Sequence, residues 1–145
     1  MPISLAEAWD FFSSPLNLQK ITPKEMNFVV TSDYPAATKM YEGMLITYTI
    51  TPLLGIKMSW MTEITHVKDG EYFIDEQRFG PYALWHHEHH FKEIKGGVLM
   101  TDQLTYAMLL GAVGRFGNKI LVDEKVKEIF KFREKAIVEL FGPFK

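Results

Sequence analysis

Residues 83–108 read ALWHHEHHFKEIKGGVLMTDQLTYAM, and the Gly96-Gly97 pair in the middle decides how the stretch folds. A glycine pair between two runs of alternating side chains marks a tight hairpin turn. Successive side chains on a strand point to opposite faces, so the first run separates into two sets. Trp85, His87, His89 and Phe91 share one face, while His86, Glu88, His90 and Lys92 share the other. The second set is wholly polar and reads as a solvated outer face; the first places two imidazoles between two large rings. The four histidines of this strand, out of five in the chain, are therefore two unlike pairs.

The turn also sets the register. A two-residue turn at Lys95-Gly96, or a four-residue turn shifted about it, brings Phe91, His89, His87 and Trp85 beside Met100, Asp102, Leu104 and Tyr106. A three-residue turn would break that parity. Through Gly80-Pro81, the preceding run adds Phe73, Asp75, Gln77 and Phe79 to the same face. A lone histidine beside an aspartate is most simply a satisfied core pair. Asp75, Gln77, His87, His89, Asp102 and Tyr106 together, set among Phe, Trp, Met and Leu, fit a pocket better, because polar groups in an apolar wall need partners.

Outward from this hairpin, period-two alternation runs from Met44 to Met108. Further strands are expected at about 56–66 and 71–79, with turns at Leu54-Gly55 and Asp69-Gly70. The result is an antiparallel meander. Upstream, Ser4 and Glu7 form a capping box that opens a short helix ended by Pro15, and Thr22, Pro23 and Glu25 announce a second. Downstream, Phe116, Ile120, Val126, Ile129, Phe130, Ile137, Leu140 and Phe141 make the apolar stripe of one long helix stopped by Gly142-Pro143. Sheet and helix must bury their apolar faces on each other, so residues 1–145 form a single α+β domain of two layers.

Composition narrows the function. A net charge of -2 with mixed signs offers no footprint for nucleic acid or an anionic membrane surface. The absence of cysteine removes disulfides, thiol nucleophiles and Cys-based metal centres. No signal peptide pattern or membrane-spanning apolar run is visible, so a cytoplasmic protein without membrane insertion is the expectation.

Taken together and in order, AWDFFSSPLNLQKITP, YEGMLITYTI, WMTEIT, FIDEQRFGPYALWHHEHHF, MTDQLTYAMLLGAVG and IFKFREKAI resemble the SRPBCC superfamily of START-like and polyketide cyclase/dehydrase proteins, in an uncharacterised bacterial branch. The resemblance spans nearly the whole chain. It implies the helix-grip (START-like) fold, a curved antiparallel sheet wrapped on a long C-terminal helix, with two short helices near the N-terminus and a cavity for an apolar or amphipathic small molecule. The branch's Asp-x-Gln, Trp-x-His-x-His-x-Phe and Asp-x-x-x-Tyr elements fall on Asp75 and Gln77, on Trp85, His87, His89 and Phe91, and on Asp102 and Tyr106. Two departures stand out. The family's first strand is missing, so six strands are expected where the family has seven, and Gly96-Gly97-Val98 replaces the usual Gly-Gly-Thr. An open sheet edge, a second chain covering it as in a homodimer, or a different start would each account for the first departure.

The leading expectation is a ligand-binding domain without a cofactor. Its pocket would be lined by Tyr48, Trp60, Phe73, Trp85, Phe91, Met100, Leu104, Tyr106 and Phe130, with Asp75, Gln77, His87, His89 and Asp102 orienting a polar end. That requires a cavity of roughly a few hundred Å³ between sheet and final helix, entered past the loops at 52–54 and 110–117. An alternative is a cyclase- or dehydrase-like lyase or isomerase. There, His89 with Asp102 or His87 with Asp75 would move protons while Tyr106 polarises a carbonyl oxygen. A metal held by the two histidines and either aspartate is a third reading, not adopted as a site; His86, Glu88 and His90 are a weaker set. A fourth is an auxiliary protein-interaction module working through the open edge.

Overall fold

The computed structural model describes residues 1–51, 55–108 and 115–144, with the side chains of 115–121 outside the description. The loops expected at the pocket entrance, 52–54 and most of 110–117, thus lie outside the described residues.

Helix α1, Leu5–Phe12, starts with the expected capping box: the Glu7 amide donates to Ser4 Oγ at 3.2 Å, and the Ser4 amide donates to Glu7 Oε2 at 2.9 Å. Pro15 does not merely end this helix. It opens a 3-10 helix over Pro15–Ile21, where its fixed φ suits a first helical position. A second 3-10 turn, Lys24–Met26, is present, but without the expected cap. The Thr22 hydroxyl donates back to the Leu18 carbonyl at 2.7 Å instead, because the preceding 3-10 helix puts that acceptor within reach.

The sheet is antiparallel and six-stranded, in the order β1 (Val29–Val30), β2 (Met44–Ile50), β3 (Met58–Lys68), β4 (Tyr72–Phe79), β5 (Tyr82–Ile94) and β6 (Gly97–Met108). Ile94 pairs with Gly97 around a two-residue turn, with Gly96 at φ +86°, a left-handed conformation that glycine adopts without penalty. The register follows as expected: Phe91, His89, His87 and Trp85 stand opposite Met100, Asp102, Leu104 and Tyr106. Breaks in pairing beside Thr65 on β3, Arg78 on β4 and Ala83 on β5 bend the strands, so the sheet curves around its inner face. On the side of β6 away from β5, Met1 pairs with Val98 through two backbone bonds of 2.9 Å.

Helix α2, Arg115–Phe141, crosses the inner face and ends at Gly142, whose amide donates to the Val138 carbonyl at 2.8 Å. Its buried side departs from the expected stripe. Leu140 is 47% exposed, whereas Val122, Ala136 and the charged Arg133 are buried. No described helix is long and apolar enough to cross a membrane.

Two apolar clusters form the core. One joins Met26 and Phe28 to Met44, Ile46, Tyr48, Ile50, Trp60 and Ile64. The other joins Ala8, Phe12 and Ile21 to Phe73, Phe91, Val98 and Ala136. Strand β5 runs from one to the other, with Trp85 packed on the first, Phe91 inside the second, and His87 and His89 between them.

Candidate functional site

The two histidines are buried, at 4% and 6% exposure, because strand alternation turns them inward beneath α2. Their rings lie with centroids 3.8 Å apart, tilted at 43° to one another. Asp75 on β4 and Asp102 on β6 close the arrangement from either side, and each carboxylate faces both rings. Asp75 Oδ2 lies 2.6 Å from His89 Nε2 and 3.6 Å from His87 Nδ1. Asp102 Oδ1 lies 3.1 Å from His87 Nε2 and 2.8 Å from His89 Nδ1.

The well-formed hydrogen bonds run diagonally, His89 to Asp75 and His87 to Asp102, rather than between the directly opposite residues. Inward side chains lean along their strands, which carries each imidazole past its immediate neighbour. The short His89 Nδ1 contact with Asp102 is an attraction at poor angle, and that nitrogen makes no proper hydrogen bond. Arg133 of α2 completes the group, with Nη1 3.9 Å from Asp102 Oδ1 and its guanidinium over the Phe130 ring at 5.3 Å.

Charge divides unequally over these groups. Burial and the neighbouring His89 push His87 down to about 4, so it is neutral near pH 7. Burial also opposes charge on His89, but its contacts with Asp102 and Asp75 outweigh this and hold its pKa above the ordinary value. Burial likewise works against ionised Asp75 and Asp102, yet the imidazoles and Arg133 keep both below the usual carboxylate range. Of the two imidazoles, His89 is thus the one that takes up a proton more readily, beside two carboxylates and Arg133. With its Nε2–H given to Asp102, neutral His87 keeps a lone pair on Nδ1, too far from Asp75 to be engaged.

A partly open cavity of about 140 Å³ lies against this group. Of the expected lining residues, it includes Tyr48, Trp60, Phe73, Asp75, Trp85, His87, His89 and Met100. It is smaller than expected because Phe12, Leu18, Ile21, Met26 and Phe28, from the N-terminal segment, also project into it. In the same wall, Thr62 Oγ1 accepts from Trp60 Nε1 and pairs with the Tyr48 hydroxyl, each at 3.1 Å. Sequence patterning missed Thr62, the N-terminal residues and Arg133. The last carried a readable signal, an arginine three residues after Phe130 on the apolar side of the helix.

Six expected residues stand elsewhere than in this lining. Gln77 spends its amide on the Tyr82 backbone, donating to the carbonyl at 2.7 Å and accepting from the amide at 3.2 Å. Phe91 is packed in the second core cluster. Tyr106 donates its hydroxyl to Asp123, which removes it from a role in polarising a carbonyl at the cluster. Leu104 is half-buried opposite His87. Asp102 and Phe130 line an open groove of about 640 Å³ between β6 and α2, which shares Met100 and Arg133 with the inner cavity.

Asp75, His87 and His89 each bring one potential ligand atom within 4.8 Å of the others and are the residues that could hold a metal. A cation there would have to open the 2.6 Å hydrogen bond and sit beside Arg133. On the outer face, His86 contacts Glu76 at 2.8 Å and His90 contacts Glu88 at 3.0 Å, an ordinary solvated set of pairs.

Six curved antiparallel strands gripping a long C-terminal helix define a helix-grip, START-like α+β domain. Solved structures agree. Protein Ms6760 from Mycobacterium smegmatis is similar at TM-score 0.69 and 23% identity, over 97% of this chain and 85% of that one. TTHA0849 from Thermus thermophilus is similar at TM-score 0.61 and 14% identity, over 97% and 94%. Ara h 8.0201 is similar at TM-score 0.60 and 15% identity, over 95% and 92%. No family model matches the chain, and no curated protein matches it closely enough to count as a relative.

Proposed function

We propose that the protein binds a small apolar or amphipathic molecule in the cavity between the sheet and α2. The observation that carries this reading is the cavity's chemistry: rings and aliphatic side chains over most of its wall, and Asp75, His87, His89 and Arg133 at one end. Its size suits one ring, since an engineered apolar cavity of about 150 Å³ takes up benzene. Trp60 and Trp85 lie in the wall, so ligand entry alters tryptophan fluorescence. Native mass spectrometry of protein purified from its own host, followed by fluorescence titration with single-ring compounds, tests the reading. A co-purifying small molecule or a saturable response supports it; neither, across the series, overturns it.

One observation favours proton-transfer chemistry on the bound molecule as a second reading. His87 is neutral, oriented by Asp102 through Nε2, and has an uncommitted Nδ1 in a residue that lines the cavity, which is the arrangement a general base needs. A cyclase- or dehydrase-type reaction would use that base on a carbonyl compound. Incubation of bound ligand followed by product analysis decides between binding and turnover.

A further inference from the structure

Arg133 is 8% exposed, yet its guanidinium makes no hydrogen bond among the described residues. Nε is enclosed without a partner, and the closest carboxylate oxygen, Asp102 Oδ1, is 3.9 Å from Nη1, beyond hydrogen-bond reach. Phe130 stacks beneath the group but offers no acceptor in its plane. An enclosed guanidinium N–H without a partner is unfavourable, and native structures rarely leave one so. Arg133 lines the inner cavity, whose other walls are mostly rings and aliphatic chains.

We propose that the cavity's ligand carries a carboxylate and that Arg133 receives it, with the ligand's ring held between Tyr48, Trp60 and Trp85. This rests on the ligand-binding reading and names the chemical class of that ligand. The planar fork of a guanidinium matches the two oxygens of a carboxylate, and such a pair engages the donors now idle. A cavity of about 140 Å³ limits the rest of the molecule to a ring or a short chain.

An incoming anion must be weighed against the charges already present. Asp75 faces the site from β4, His87 and His89 from β5, Asp102 from β6 and Arg133 from α2, with Tyr48 of β2 kept neutral by burial. Two carboxylates already face Arg133 and the two imidazoles, so a carboxylate ligand gains from direct pairing with Arg133 rather than from the net charge of the site.

Calorimetric titration of the full chain with benzoate and phenylacetate, against benzamide, benzyl alcohol and toluene, tests this. It is run on wild type, Arg133→Gln and Arg133→Lys. The carboxylates are expected to bind at least about tenfold more tightly than their neutral counterparts. Arg133→Gln should lose the preference while still binding toluene, and Arg133→Lys should keep only part of it. Neutral compounds that bind as tightly as carboxylates overturn the proposal and leave the ligand-binding reading standing. Binding of none of the series overturns both. A carboxylate preference that survives in Arg133→Gln overturns the assignment to Arg133. Should that variant fail to fold, full retention in Arg133→Lys, which keeps the charge but not the fork, does the same.

Discussion

His87 and His89 face each other at 3.8 Å, tilted, between the same two carboxylates, and at that distance the pair holds one proton charge more readily than two. Stability should therefore peak near the ordinary imidazole pKa. For His87 the folded pKa, about 4, lies below the unfolded value, so the unfolded chain takes up the proton first as pH falls. That costs roughly 2–3 kcal/mol between about pH 6.5 and 4. For His89 the folded pKa is raised, so its contribution is complete below about pH 6.5 and fades as pH rises through the folded value. Melting temperature measured against pH should fall on both sides of about pH 6.5. His87→Gln should abolish the decline between about pH 6.5 and 4, leaving the loss at lower pH where Asp75 and Asp102 protonate. A melting temperature that climbs steadily from acid to alkaline pH would contradict this.

The two faces of β5 should differ in their energetics as well as their exposure. Asp102→Asn removes a charge that faces His87, His89 and Arg133 in a buried setting, leaving the guanidinium and both imidazoles with Asp75 alone. A loss of about 3–5 kcal/mol is expected. Glu76→Gln removes the partner of His86 on the outer face, where the two side chains are 29% and 32% exposed. A loss under about 1 kcal/mol is expected there. Urea denaturation of both variants measures the contrast, and equal losses would sink the sorting of the histidines by face.

That sorting was legible in the sequence because it depends on strand period and turn length alone, and Lys95-Gly96 settles both. The same reasoning placed Asp75 and Asp102 beside the histidines but paired His89 with Asp102 and His87 with Asp75, whereas the hydrogen bonds join His87 to Asp102 and His89 to Asp75, a choice that rotamers make. Arg133 stayed hidden for a different reason. On an amphipathic helix an arginine ordinarily belongs to the solvated side, and only the packing of α2 against β6 shows this one enclosed. The Pro15–Ile21 helix has no 3.6-residue period to betray it, so the side chains it sends into the cavity, and with them the cavity's reduced size, were not visible either.

Thr62 should matter more than its size suggests. Its hydroxyl oxygen accepts from Trp60 and pairs with Tyr48, and all three residues are buried. Thr62→Val keeps the shape of the side chain but leaves an indole N–H and a phenol without partners. The expected cost is about 2 kcal/mol or more, because stranded buried donors lose their full solvation. Denaturation monitored by tryptophan emission reads both the stability loss and the changed surroundings of Trp60. A loss within about 0.5 kcal/mol would mean that water or another group replaces the hydroxyl.

Met26 is 2% exposed, and its side chain occupies the wall of the cavity from the N-terminal segment, away from the charged end. Met26→Ala removes that volume without touching Asp75, His87, His89 or Arg133. Truncation of a buried methionine costs about 2–5 kcal/mol, the upper part of the range applying if the space does not collapse. The enlarged cavity should then accept a two-ring compound that the native cavity, at about 140 Å³, excludes. Titration of naphthalene-sized and benzene-sized ligands into both proteins measures the change through Trp60 and Trp85. The variant should gain affinity for the larger ligand and lose some for the smaller, which no longer fills its site. A parallel loss of affinity for both would show that this end of the cavity does not receive the ligand, and would move the binding site toward the groove between β6 and α2.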